Sequence, residues 1–305
     1  MLFAVATAFL FAGSALCGRQ ATDHLGSLPA NFWRLLAATL ALGLATAVFY
    51  PHSFSGPTFL WFFISGFVGF GIGDVALYLA FARIGSRLTL LINFSLATIL
   101  GALGDWMWLG DPLDGHSAVA VGVILIGISI ALLGARPTGM KRQGSHAAGI
   151  VAAVFAAFGQ GFGATISRHA QSLAATSGLA ISGLSQAFQR VIAGLLVGSA
   201  VLLYVRLRGR KTSLPPERAR FFPPRSSLPW ILGAALFGPV VGVSCFQWAL
   251  LETPNSGRVL AIVSTSPLIL IPFAAFLEKD RPTVASVLGG LIAVGGVARL
   301  CLLRS

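Results

Sequence analysis

The sequence predicts an all-α membrane protein with ten transmembrane helices, arranged as two five-helix repeats of inverted topology. Three observations support this prediction. Of the 305 residues, 56% are hydrophobic and only 10% are charged, whereas a soluble domain has about 25% charged residues. Apolar stretches long enough to span a hydrocarbon core, roughly 20 residues each, recur along the chain. The sequence also aligns with itself at a fixed offset.

The apolar stretches follow one another with short polar connections and leave little chain for a soluble domain. A formal net charge of +12 would suggest a nucleic-acid partner in a soluble protein. Here the basic residues fall in the connections, where they orient helices across a bilayer, and nucleic acid is not a predicted partner. We expect ten helices near 2–18, 29–49, 58–82, 86–109, 115–134, 147–168, 176–205, 228–251, 257–277 and 283–303.

The self-alignment relates the two halves of the chain at an offset of 169 positions, the separation of Asp111 from Asp280. It predicts a first repeat at 1–134, a linker at 135–146 and a second repeat at 147–305. Because each repeat holds an odd number of helices, the second enters the bilayer in the opposite orientation. The identical pairs are Gly69 and Gly238, Gly73 and Gly242, Ala80 and Ala249, Leu91 and Leu260, Ser95 and Ser264, Asp111 and Asp280, Ser117 and Ser286, and Gly127 and Gly296.

Two motifs recur at equivalent places in both halves. The third predicted helix closes with Ala80-Phe81-Ala82-Arg83-Ile84-Gly85 or Ala249-Leu250-Leu251-Glu252-Thr253-Pro254. The fourth ends in an acidic turn, Leu109-Gly110-Asp111-Pro112-Leu113 or Glu278-Lys279-Asp280-Arg281-Pro282. In this order the motifs resemble the EamA-type branch of the drug/metabolite transporter superfamily. The chain departs from that family in using Asp where its acidic turns have Glu, and in having Thr98 where the second half has the family's proline, Pro267.

The resemblance implies a multi-pass protein of the cell's inner (plasma) membrane with a central pocket between its halves. It also implies secondary transport, as export or exchange, of a small metabolite, amino acid or drug. Internal duplication fits this function, because alternating access needs two similar halves around one site. The family keeps both termini in the cytoplasm. The loops after odd-numbered helices hold fifteen Lys and Arg and the others four, which places the termini outside, so the orientation stays open.

Two other functions are compatible with long apolar helices. A lipid or lipid-linked-sugar flippase would use the same scaffold, and a lateral opening between helices would favour it. An intramembrane enzyme needs a nucleophile, a metal cluster or paired acids. The sequence has no His-Glu-x-x-His, Gly-x-Ser-x-Gly or Gly-x-x-x-x-Gly-Lys motif. We therefore predict no catalytic residue, metal site or cofactor, and we expect the partners to be a small solute, the bilayer and a coupling proton. One chain is sufficient for function, although a dimer is allowed.

Asp74 is the sharpest candidate for the site, because it lies inside the third predicted helix, where a charge is costly. Its counterpart in the repeat is the apolar Val243. It would bind a proton or a cationic group of the substrate. The alternative is an acid satisfied by a neighbouring helix or paired with Arg34. Asp105 is expected to reach interfacial water with Asp111 and Asp114, while Asp111 and Asp280 cap or orient the turns that follow.

Two arginines, Arg34 and Arg190, open the second helix of each half. We expect their guanidinium groups to snorkel towards interfacial water. Binding of an anionic substrate and locking of gates on opposite faces are the alternatives. Uncharged candidates for the pocket are Tyr78, Asn93, Gln160, Gln247 and Trp248, each with helix contact as the default role.

Small and helix-breaking residues complete the set. Glycines at four-residue spacing allow helix backbones to approach closely in lipid, as expected for Gly69 with Gly73 and for Gly238 with Gly242. Pro239 and Pro267 are expected to break their helices locally, which would free backbone carbonyls for a substrate.

Overall fold

The described part of the chain consists of helices joined by turns. The structure is a computed structural model that describes residues 1–51, 56–133, 145–209, 222–253, 255–270 and 283–302. Those ranges contain helices and connecting turns but no strand, which confirms the all-α prediction. Pro254, Asp280 and almost all of the linker lie outside the described residues.

The helices of the first half follow the predicted apolar stretches, because an uninterrupted apolar run can satisfy its backbone only by forming a helix in lipid. They are α1 (Leu2–Leu25), α2 (Ser27–Phe49), α3 (Gly56–Gly66), α4 (Asp74–Gly104) and α5 (Gly115–Leu133). In the second half the helices are α6 (His146–Thr176), α7 (Gly183–Gly209), α8 (Leu228–Ala235), α9 (Val241–Leu251), α10 (Ser256–Val263) and α11 (Val284–Leu302).

The helical stretch Thr58–Leu109 is 52 residues long. As a straight helix it would measure about 78 Å, whereas the hydrocarbon core is about 30 Å thick. It bends inside α4 at Gly85, whose φ of 79° is one that glycine adopts without steric cost. The bend falls between the predicted helices 58–82 and 86–109. The stretch is therefore long enough for two crossings.

Three π-helical turns interrupt the helices. Phe67–Gly73 joins α3 to α4, Asp105–Leu109 follows α4, and Leu236–Val240 joins α8 to α9. The turn in the second half contains Pro239, which has no N–H to donate. Its counterpart begins 169 positions earlier and contains no proline. In the Phe67–Gly73 turn, glycines, which are weak helix formers, interrupt the α-helix instead of a proline.

α10 ends at Val263, four residues before Pro267. Proline cannot donate to the carbonyl four residues back, so the α-helical bond to Val263 is missing. The hydroxyl of Ser266 donates to that carbonyl instead, at 2.6 Å. The freed carbonyl is thus satisfied by the protein itself.

Equivalent helices of the two halves pack against each other. α2 packs on α7, and α5 packs on α11. The α5–α11 contact is close, because a Cβ atom placed on Gly127 would lie 2.6 Å from the backbone nitrogen of Ala293. Within the described ranges, six helical stretches are long and apolar enough to cross a membrane, and shorter apolar helices accompany them.

Candidate functional site

A cavity lies where the two halves meet. The space open to the centres of water molecules is about 60 Å³, enough for about four to six waters at 10–15 Å³ each. The π turn that precedes α4 and the π turn that precedes α9 both contribute residues to its wall. Six of the polar residues predicted from the sequence line it: Arg34, Asp74, Tyr78, Asn93, Gln160 and Arg190.

Arg34 and Asp74 form an ion pair in the wall of this cavity. The guanidinium Nη2 of Arg34 donates to Oδ2 of Asp74, and it also donates to Oδ1 of Asn31 at 2.9 Å. Its Cζ lies 5.0 Å from the centroid of the Tyr78 ring, a distance at which a cation is attracted to the ring. Asp74 therefore lines the cavity and is also paired with Arg34. The two alternatives considered for Asp74 are thus compatible with each other.

Arg190 lines the cavity from α7 and, unlike Arg34, is not paired with a carboxylate of the described residues. Its Cζ lies 5.3 Å from the centroid of the Phe70 ring. Its Nε and Nη1 atoms are buried and have no hydrogen-bond acceptor in the described part of the chain. The snorkelling prediction for the two arginines is wrong: Arg34 is 4% exposed and Arg190 2% exposed, so neither head group reaches interfacial water.

Each arginine lies against a glycine of the Phe67–Gly73 or Leu236–Val240 turn. A Cβ atom on Gly69 would lie 3.0 Å from Nη2 of Arg190, and one on Gly238 would lie 2.5 Å from Ser14 Oγ and 3.3 Å from Nη1 of Arg34. Each glycine thus makes room for an arginine from the other half. Gly73 instead faces the backbone of Gly159 on α6, with its hypothetical Cβ 3.2 Å from Gly159 Cα.

Gly242 lies against the ring of Phe11, which its hypothetical Cβ would approach to 2.9 Å. In both halves, therefore, the second glycine of the pair lies at a close approach between helices. The first glycine of each pair instead contacts an arginine, Arg190 at Gly69 and Arg34 at Gly238. The four-residue spacing of the glycines did not predict these two contacts.

Two of the uncharged candidates lie outside the lining of this cavity. Gln247 is buried between α6, α7 and α9, where its Nε2 donates to Ser167 Oγ at 3.2 Å and its Oε1 accepts from Gln171 Nε2 at 3.3 Å. The ring of Trp248 lies 5.4 Å from that of Phe3, centroid to centroid. Both side chains make the helix contacts that were their default role.

A second group of charges, which we call the Arg168 cluster, contains the partly buried Arg168, the buried Asp105 and the half-exposed Asp111. Nη1 of Arg168 donates to Oδ2 of Asp105 at 2.7 Å, and Nη2 donates to Oδ2 of Asp111 at 3.0 Å. The backbone N–H of Ser256 donates to the same oxygen of Asp105 at 2.5 Å. Asp105 is fully buried, so the prediction that it reaches interfacial water is wrong. Oδ2 of Asp105 accepts both of these bonds, and its Oδ1 has no donor among the described residues.

The turn between α4 and α5 is organised differently from the prediction. Asp114 caps α5, with its Oδ2 accepting from the backbone N–H of Ser117 at 3.0 Å. The hydrogen bond from the backbone N–H of Ser117 lowers the pKa of Asp114. Asp111 pairs with Arg168, and its carbonyl accepts from Asn255 Nδ2 at 2.8 Å. Asp114 thus has a different partner from Asp105 and Asp111, although the three acids lie within ten residues of one another.

Long apolar helices around buried charges define a multi-pass α-helical membrane protein. The sequence model of the EamA-like transporter family matches residues 1–133 and 147–301, and the chain belongs to that family. The resemblance inferred from the motifs is thereby confirmed. No curated protein matches the sequence. One solved structure, described as a crystal structure of a protein, is similar with a TM-score of 0.68 and 17% identity over 98% of this chain and 96% of that chain. This likeness shows a common fold.

Proposed function

We propose that the chain is a secondary transporter of the inner membrane that exports or exchanges a small metabolite, amino acid or drug by alternating access. The observation that supports this function best is the composition of the cavity wall. Gly69 and Gly238, and likewise Asp74 and Val243, are equivalent positions of the two repeats, and all four line the one cavity. A site shared by two related halves is what alternating access requires.

Ten crossings in two inverted repeats, 1–134 and 147–305, are part of this proposal. The packing of α2 on α7 and of α5 on α11 supports it, because a two-fold axis brings equivalent helices together. The π turns at equivalent positions and the bend at Gly85 support it too. A coupling proton would bind at Asp74, the one carboxylate among the described residues that line the cavity.

One observation favours the flippase alternative. An apolar groove of about 660 Å³ lies between α4, α6 and α7, and it includes Gly71 and Ile72 of the first π turn. A lipid chain would fit such a surface. The groove does not contain the charged residues of the cavity, so the two functions make different use of the molecule and can be separated by experiment.

The experiment is exchange in reconstituted vesicles. Liposomes containing the purified protein are loaded with radiolabelled alanine, propionate, uridine or a cationic drug, and release is followed with and without the same unlabelled compound outside. We expect one class to leave faster when its unlabelled form is present outside, the signature of a carrier with one site. We expect Asp74→Asn to lose this exchange, because it breaks the pair with Arg34.

Asp23→Asn is the matched control. Asp23 pairs with Arg19 within α1 at 3.0 Å and is 41% exposed. Arg19 also donates to the carbonyl of Phe81 at 2.6 Å, so it keeps an acceptor when Asp23 is replaced. This variant should exchange like the wild type. Scrambling of a fluorescent lipid by the same vesicles, without release of any solute, would replace the transporter with the flippase.

A further inference from the structure

The cavity holds two buried guanidinium groups and one carboxylate. Arg34 is neutralised by Asp74. Arg190 has no carboxylate within ion-pair distance, and two of its nitrogens have no acceptor among the described residues. A buried charge without a partner is costly, so the conformation described is incomplete at Arg190.

The repeat shows what is missing. Asp74 corresponds to Val243 at the offset of 169 positions, and both line the cavity. The two arginines also have one contact in common, since each lies against the first glycine of the other half's π turn. The surroundings of Arg190 thus share the glycine contact with those of Arg34, but Arg190 lies against Phe70 instead of Tyr78 and has no counterpart of Asn31 among the described residues. At the position equivalent to Asp74, the cavity wall carries the isopropyl group of Val243.

We infer that the cavity binds a small monocarboxylate, whose carboxylate takes at Arg190 the place that Asp74 takes at Arg34. This assignment rests on the transport function proposed above and names its substrate class. A guanidinium donates to both oxygens of a carboxylate at once. Binding brings the two cations and one anion of the cavity to electrical balance.

The same geometry disfavours other charge types. The carboxylate of Asp74 is already engaged by Arg34, so a substrate ammonium group finds no free anion among the described lining residues. A cationic substrate would gain no ion pair in this cavity, and a zwitterionic substrate would have to bury an unpaired ammonium group. The remainder of the substrate meets the rings of Phe11, Phe94 and Phe246. Room for about four to six water-sized groups limits it to a short chain.

The test compares ligands of equal size and different charge. The melting temperature of the purified full-length protein is measured against propionate, propionamide, propylammonium, alanine and inorganic phosphate. We expect propionate to raise it in a saturable manner, alanine to do so less, and propionamide and propylammonium not at all. Propionamide equal to propionate would overturn the assignment. Phosphate equal to propionate would replace the carboxylate with an inorganic anion.

Val243→Asp is the decisive variant, because it supplies the missing carboxylate from the protein. Compared with the matched Val243→Asn, it should be more stable without ligand and should bind propionate roughly tenfold or more weakly, the loss expected for a charged hydrogen bond. Arg190→Gln should lose the propionate response as well. If Arg190→Gln fails to fold, Val243→Asp still decides, and a response to propionate equal to that of the wild type would overturn the assignment.

Failure of this assignment and failure of the transport function have different signatures. If vesicles exchange a neutral or zwitterionic solute while propionate has no effect on stability, the transporter stands and the carboxylate site does not. If propionate stabilises the protein but no solute crosses the membrane, the binding site stands and transport does not.

Discussion

Two groups of charges lie in the same molecule and differ in how their charges are balanced. In the cavity, Arg34, Asp74 and Arg190 carry two positive charges and one negative charge, and Nε and Nη1 of Arg190 have no acceptor in the described residues. In the Arg168 cluster, one guanidinium joins two carboxylates, and a backbone N–H adds a further bond to Asp105.

The difference separates architecture from function. The Arg168 cluster joins the π turn after α4, the C-terminal third of α6 and the start of α10, and its guanidinium is paired with two carboxylates of the protein. In the cavity group, Arg34 is paired with a carboxylate of the described residues, whereas Arg190 is not. Buried charge by itself is therefore a weak sign of a binding site, whereas a buried cation left without an acceptor beside a cavity is a strong one.

The largest expected effect is at the Arg168 cluster. Arg168→Ala removes the cation from the fully buried Asp105, and removing one partner of a buried pair costs about 3–5 kcal/mol. Thermal unfolding in detergent should show a marked loss of stability. Asp111→Asn is the control, because Asp111 has a side chain that is 46% exposed and exposed pairs contribute about 1 kcal/mol or less. Equal losses in the two variants would contradict an architectural role for the buried pair.

A smaller effect is expected where the cavity group meets the backbone. The Cβ atom of Gly69→Ala would lie 3.0 Å from Nη2 of Arg190, so the guanidinium must shift. The end of the Arg190 side chain needs to move by only a few tenths of an ångström, so we expect little loss of stability but a lower affinity for propionate, because the guanidinium is displaced. The measurement is a propionate titration of the melting temperature.

Gly122→Ala in α5 is the matched control, because a Cβ atom there meets nothing within 4 Å. It should leave propionate binding unchanged and should not destabilise the helix, in which alanine is favoured over glycine by about 1 kcal/mol. If both variants bind propionate like the wild type, the position of Arg190 does not control the site.

The smallest effect is at Asp114, an acid that lies outside both charge groups. Asp114→Ala removes the cap of α5, at a cost of about 1 kcal/mol, whereas Asp114→Asn keeps an acceptor and should cost less. Because the hydrogen bond from Ser117 lowers the pKa of Asp114, the ionised carboxylate stabilises the fold above its unfolded pKa of about 3.9. This contribution is lost as the pH falls through the folded pKa.

The corresponding measurement is the melting temperature of the wild type and of Asp114→Asn at neutral and acidic pH. The difference between them should be present at neutral pH and should shrink in acid, where Asp114 of the wild type becomes protonated. A difference that is unchanged in acid would show that the charge of Asp114 has no part in the cap.

The sequence predicted the features that depend on local pattern. Apolar runs gave the helix positions to within a few residues, except at the ends of α1, α6 and α7, and Gly85 lies at the expected boundary. Asp74 was found because an acid stands out in an apolar helix. Asp105 stands out equally, and its true partner could not be read from the sequence, because Arg168 comes from another helix 63 positions away.

Side-chain direction was the information that the sequence lacked. Successive residues of a helix point about 100° apart, so Phe246 lines the cavity while the adjacent Gln247 faces α6 and α7. The inward direction of Arg34 and Arg190 depends on the glycines that they meet in the other half. Those contacts join residues more than 100 positions apart in the chain.

The paired π turns make the two cavity-lining helices sensitive to chain length. A π turn accommodates about one residue more than an α-helical turn, and one residue changes the direction of everything after it by about 100°. Asp74 directly follows the first turn, and Val243 follows the second by three positions. Loss of a single residue from either turn would rotate its helix and redirect these side chains, whereas many substitutions in the turn would not. Chain length in these turns is thus under a tighter constraint than residue type.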